Sequence, residues 1–165
     1  MPSAETEAAV EVEVRIDADP ETVFEFLVDP AKMVQWMGRS HELDPRPGGV
    51  FSCDLNGRDV ASGAYVEVDR PRRVVFTWGW ESEENSTRPG ASTVEVTLAP
   101  DGAGTLVTLV HRDLVSEESR ANHAHGWRHY TERLALAAAG RDPGIDPWAT
   151  PGGADEEFED GKRAH

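Results

Sequence analysis

The chain has a single cysteine, Cys53, in 165 residues, so it cannot form an internal disulfide, and this usage fits a reducing compartment. Cys53 sits between Phe51 and Leu55 in an alternating run and reads as a small buried hydrophobe rather than a reactive thiol. Cations are also scarce. Sixteen Lys and Arg against 31 Asp and Glu leave a formal net charge of −15. Nucleic acids and anionic membranes both need a basic footprint, so neither is an expected partner. No apolar run approaches the roughly 18 residues of a membrane-spanning helix. Residues 1–14 lack the basic start and apolar segment of a secretory signal, which points to the cytoplasm. Without that export route the glycosylation pattern Asn85-Ser86-Thr87 carries no weight. Absent too are the GxSxG nucleophile turn, the CxxC pair and the GxxxxGK phosphate loop. His125 and His129 lie four apart, a spacing that can bind zinc, but His123 falls nearly opposite His125 and no Cys pair or HExxH motif completes a site. No metal and no cofactor are expected.

What is present is a clear order of elements. Val10, Val12, Val14 and Ile16 alternate with charged residues, the pattern of a half-buried strand. Asp19-Pro20 and Asp29-Pro30 each pair an N-cap with a proline at the first helical position. The first helix carries Val23, Phe24, Phe26 and Leu27, and the second Met33, Val34 and Trp36. Strands are then predicted at His41–Asp44, Val50–Leu55, Val60–Val68, Arg73–Trp80, Ser92–Leu98 and Thr105–His111, with Asn56-Gly57 as a hairpin turn between the second and third of these. The stretch 81–90 reads as a long polar loop. A helix runs from Ser116 or Glu117 to Ala139, ended by Gly140. In it His123, Trp127, Tyr130, Leu134 and Ala137 recur at spacings of 4, 3, 4 and 3 and form one stripe. Gly126 costs about 1 kcal/mol in a helix relative to alanine, and a close approach to the sheet, or a kink, is its expected compensation. Asp142–Trp148 reads as an ordered hook. Residues 1–8 are expected to be a loose arm, 9–148 one domain, and 149–165 a disordered acidic tail.

Strand, two short helices, antiparallel strands and a long final helix define an α+β class, with the sheet curling around the last helix. The segments DADPETVFEFLVDPAKMVQWM, GAYVEVDRPRRVVFTWGW, STVEVTLAPDGAGTLVTLVHRDL and HGWRHYTERLALAAAG carry a resemblance. Over about residues 9–148 the chain resembles the START-like (SRPBCC, birch-pollen-allergen-like) superfamily, in the branch of the activator of heat-shock-protein-90 ATPase homologues. That resemblance implies a helix-grip fold with an internal apolar cavity. It implies no single activity, since members include lipid and hormone binders, polyketide cyclases and a cochaperone domain.

A cavity between sheet and helix implies a ligand. Strand alternation puts Phe76, Trp78 and Trp80 on one face, and Val107, Leu109 and His111 on one face of the last strand. With Met33, Trp36, Phe51, Trp127 and Tyr130 these are the candidate ligand-binding residues, each weighed against a plain role in the core. His111 could bond a ligand carbonyl or act as a general base. A structural histidine tying strand to loop is the preferred reading. The expected function is binding of a small hydrophobic or aromatic molecule. The alternatives are a cyclase- or dehydratase-type enzyme using His111 with Tyr65 or Tyr130, a self-resistance protein that sequesters or is consumed by a reactive natural product, and a chaperone-interacting module. Nothing in the sequence requires an oligomer, though a sheet edge could pair with a second copy.

Overall fold

The structure, a computed structural model, describes residues 9–82, 85 and 87–149. The expected arm 1–8 lies outside the described residues, as does the expected tail apart from Ala149, which closes a short 3-10 turn at Pro147–Ala149.

Seven strands form one antiparallel sheet: β1 (Val10–Ile16), β2 (Ser40–Leu43), β3 (Val50–Asp54), β4 (Val60–Asp69), β5 (Arg73–Trp78), β6 (Ser92–Asp101) and β7 (Gly104–Arg112), in the order β1-β7-β6-β5-β4-β3-β2. Helices α1 (Pro20–Val28) and α2 (Pro30–Met33) lie between β1 and β2, and the long helix α3 (Glu117–Ala138) closes the domain. The two Asp-Pro signals act as read: Asp19 accepts from the Thr22 amide and Asp29 from the Ala31 amide. A bulge between Tyr65 and Glu67 interrupts the β4–β5 register, where the sheet bends around its concave face.

Three elements differ from the sequence expectation, the first being α2, which ends at Met33 and leaves Val34 and Trp36 beyond it. β5 ends at Trp78, and Trp80 survives only as an isolated bridge to Ala61. The cause is Gly79, over which the 87–91 segment folds so closely that a Cβ there would stand 1.8 Å from the Arg88 carbonyl oxygen. The Asn56-Gly57 pair does not make a two-residue hairpin. A longer connection over 55–59 joins β3 to β4. Asn56 caps the amides of Arg58 and Asp59, and Gly57 takes a left-handed φ of 88°. In the 81–91 segment Asn85 is buried, and its side-chain oxygen accepts from the Thr87 amide, so it is a turn residue with no room for a glycan.

The core lies between the concave face and the helices. The stripe His123, Trp127, Tyr130, Leu134 and Ala137 of α3 is wholly buried. Ser116 caps the helix through the Ser119 amide. At the other end Gly140, at φ 82°, sets a Schellman closure in which Gly140 N bonds Ala137 O and Arg141 N bonds Leu136 O. The outer face of the sheet carries ion pairs instead, with Arg73 between Glu67 and Glu95, and Arg112 on Glu95. No helix among the described residues is long and apolar enough to cross a membrane.

Candidate functional site

Besides a half-polar groove between β1 and Arg128, Thr131 and Glu132 of α3, the sheet–helix interface opens where α3 passes the 55–59 turn. There a crevice is lined by Leu55 and Asp59 of the turn, Trp78 and Trp80 of the sheet, and Asn122, His123, Gly126, Trp127 and Tyr130 of α3. Its enclosed volume is ≈ 40 Å³, space for only a few waters and far short of the roughly 300–1,000 Å³ of a drug-sized pocket. The expected cavity is therefore mostly filled by the aromatics that were read as its walls.

Of those residues the structure brings together Trp78, Trp80, Trp127 and Tyr130. It puts the others elsewhere. Phe51 and Phe76 stack at 4.1 Å deeper in the core, with Tyr65 edge-on to Phe51 at 5.8 Å. Met33 and Trp36 pack under the α1–α2 segment, where the Trp36 indole donates to the Phe26 carbonyl at 2.9 Å. His111 is fully buried and forms no part of the crevice wall.

The bonds of His111 explain its place. An indole N–H can only donate, and Trp127 Nε1 lies 2.9 Å from His111 Nδ1, so Nδ1 carries the lone pair. Nε2 then bears the proton and donates to Ser92 Oγ at 2.8 Å, which in turn donates to the Trp78 carbonyl at 2.7 Å. The imidazole has both nitrogens committed in its neutral form. Burial, reinforced by the nearby His123, holds its pKa well below the ordinary value of 6.5.

A second pair repeats the design nearer the surface. Trp80 Nε1 donates to His123 Nε2 at 3.1 Å, so His123 carries its proton on Nδ1, 2.7 Å from the Ser119 carbonyl oxygen. The two imidazoles meet edge to face at 4.9 Å. Trp78 stands between the pairs, 5.4 Å from the Trp80 ring and 5.1 Å from that of Trp127.

Against these saturated groups, two buried donors in the crevice-lining residues have no partner in the protein: Trp78 Nε1 and Asn122 Nδ2. A buried donor left unpaired costs about 1–3 kcal/mol. Tyr130 also lines the crevice, and burial holds its hydroxyl protonated, with a pKa well above the ordinary value. Gly126 corrects another expectation. A Cβ there would meet nothing within 4 Å, so close packing against the sheet is not what the glycine provides. It provides open space in the wall. Sequence reasoning passed over Ser92, Asn122 and Leu55 as site residues. Only for His123, placed on the buried stripe, did a signal exist.

The hook from Gly140 onward closes the far side of α3. Arg133 donates to the carbonyls of Trp36, Pro143 and Gly144, Asp146 bonds His129 at 2.9 Å, and Trp148 stacks on His129 at 3.8 Å. Trp148 also lies 5.2 Å from His125, so the helical histidine pair packs against an indole. Among the described residues no group of three or more metal-ligating side chains comes together.

This arrangement has relatives. Residues 17–139 match the family described as Activator of Hsp90 ATPase homolog 1-like protein, and the chain belongs to that family. An AHSA1-like protein of Rhizobium etli is 41% identical, with a TM-score of 0.68 over 85% of this chain and 87% of that one. CalU16 of Micromonospora echinospora is 27% identical, with a TM-score of 0.65 over 79% of this chain and 76% of its own. DynU16, from the dynemicin biosynthetic locus, shares the fold at 23% identity and a TM-score of 0.72, over 84% of this chain and 50% of its own. An uncharacterised protein of Schizosaccharomyces pombe is 29% identical over 93 residues, which are 56% of this chain and 25% of that protein. The chain thus spans about a quarter of the curated relative it matches.

Proposed function

We propose that this protein binds a small, flat, apolar molecule in the crevice between α3 and the 55–59 turn. The observation that carries this reading is an opening in the sheet–helix interface walled by three indoles and a phenol. Ring faces stack on flat ligands and exclude water from them. An engineered apolar cavity of about 150 Å³ accepts benzene, so a space of ≈ 40 Å³ takes a ring only if it widens. Trp80 is the side chain placed to give way. It lies past the end of β5, outside the regular ladder, with its main chain held by Thr87 and Arg88 and its indole by His123.

Binding is favoured over catalysis because no imidazole in the region has a lone pair to spare. His111 gives its own to Trp127, and His123 gives one to Trp80. The biosynthetic locus named for DynU16, with the aromatic walls of the crevice, supports placing aromatic natural products at the head of a ligand panel.

The test is a thermal-shift screen of polyketides, aromatic natural products, fatty acids and sterols, with tryptophan fluorescence read in parallel. A flat aromatic chemotype is expected to raise the melting temperature, and Trp80→Ala to change its affinity at least fivefold. If no chemotype shifts the protein, or if binding ignores Trp80, the crevice is not the site.

A further inference from the structure

We propose that the crevice is built for a neutral ring bearing a hydrogen-bond acceptor, of the aromatic ketone or quinone class, which lies over Gly126 and meets the unpaired donors of Trp78 and Asn122. This rests on the reading that the crevice holds a small apolar molecule, and it adds the polar chemistry and the position.

The donors come first. The indoles of Trp36, Trp80 and Trp127 each donate to a protein acceptor at 2.9–3.1 Å. The indole of Trp78, on a residue only 3% exposed, does not, and neither does the buried Asn122 amide nitrogen. Both residues line the same crevice. The two unpaired N–H groups, which lie beneath an almost wholly apolar wall and are reached only as the crevice widens, are completed by an acceptor and gain nothing from a further donor.

Gly126 then fixes the position. It lies in the middle of α3, one residue before Trp127, and a side chain there would point into open space rather than into the sheet. Glycine is a poor helix former, and helix–sheet contact does not require it here. A ligand that occupies the space does.

Charge narrows the class further. Asp59 stands in the wall, and the chain carries a net charge of −15, so a carboxylate or phosphate meets repulsion. A cation would pair with Asp59 and leave the Trp78 and Asn122 donors unmet. A carbonyl on an uncharged ring satisfies both conditions.

Two probes of equal ring size separate the claims: 2-acetylnaphthalene, which has the carbonyl, and 2-ethylnaphthalene, which lacks it. Dissociation constants would be measured by calorimetry on the full chain. The ketone is expected to bind at least fivefold more tightly, with Asn122→Ala cutting that preference to about twofold or less and Gly126→Leu weakening both probes at least tenfold. If Gly126→Leu fails to fold, Gly126→Ala adds one carbon to open space and is expected to weaken the ketone two- to fivefold. Equal affinity for the two probes, with Gly126 variants still blocking both, overturns the acceptor claim and leaves the ligand-binding reading standing. No binding of either probe, or binding indifferent to Gly126, overturns both.

Discussion

Two indole–imidazole bonds tie the sheet to α3, and they differ in what surrounds them. The Trp127–His111 bond is sealed. Every polar atom along it has a partner, from the indole through the imidazole and Ser92 to the Trp78 carbonyl. The Trp80–His123 bond stands in the crevice wall, beside donors that have none. The same chemical pair thus serves as a fastener in one place and as part of a wall that can open in the other. The difference lies in completeness: a saturated network resists change, while one with unpaired donors has something to gain from a visitor.

The largest contrast is expected on truncating the indoles. Trp127→Ala should cost about 3–5 kcal/mol, since it removes a buried aromatic and orphans His111. Trp80→Ala, in a crevice wall where water can reach the freed His123 nitrogen, should cost less, about 2–3 kcal/mol. Urea unfolding of the two variants measures this, and equal losses would erase the distinction between fastener and wall.

Acid should act next. Burial depresses His111 below its ordinary 6.5, and it takes His41 to about 4. A histidine with a depressed pKa binds fewer protons folded than unfolded. Its stabilisation is therefore complete above pH 6.5 and is lost as pH falls through the window below. The slope is about 1.4 kcal/mol per pH unit for each group. Unfolding curves at pH 7.5, 6 and 5 should show that decline, and His41→Asn should remove one share of it.

Ser92→Ala should cost about 1–2 kcal/mol, because it leaves the His111 Nε2–H and the Trp78 carbonyl without their shared partner. The smallest effect should come from Gly126→Ala, a gain of up to about 1 kcal/mol from helix propensity with no clash to offset it. A loss there would mean that the wall at Gly126 is tighter than its geometry implies. These two, read by thermal melts, set a filled side of the interface against an open one.

Much of the fold could be read directly. Alternation in Val10–Ile16, the Asp-Pro caps and the stripe of α3 are local signals, and local physics produced the elements they indicate. The site was less legible because its bonds join residues far apart in the chain. Trp80 and His123 are 43 positions apart, and Ser92 and His111 are 19 apart. Periodicity puts Trp78, Trp80 and Trp127 on inward faces, but it cannot tell a ring that lines space from one that fills it. Gly79 shows the same limit. Its role depends on the 87–91 segment folding over it, which no pattern around residue 79 announces. Gly126 stood out as a misfit in a helix, and only the empty volume beside it gave the reason.

The most direct measurement is a proton–nitrogen NMR spectrum of the five tryptophan indoles during titration with 2-acetylnaphthalene. Ligand binding in the crevice should shift the Trp78 and Trp80 signals progressively and to saturation, while Trp36, bonded to the Phe26 carbonyl beneath the α1–α2 segment, stays in place. Movement of Trp36 with none at Trp78 and Trp80, or no movement at all at millimolar ketone, would contradict the assignment of the crevice as the binding site.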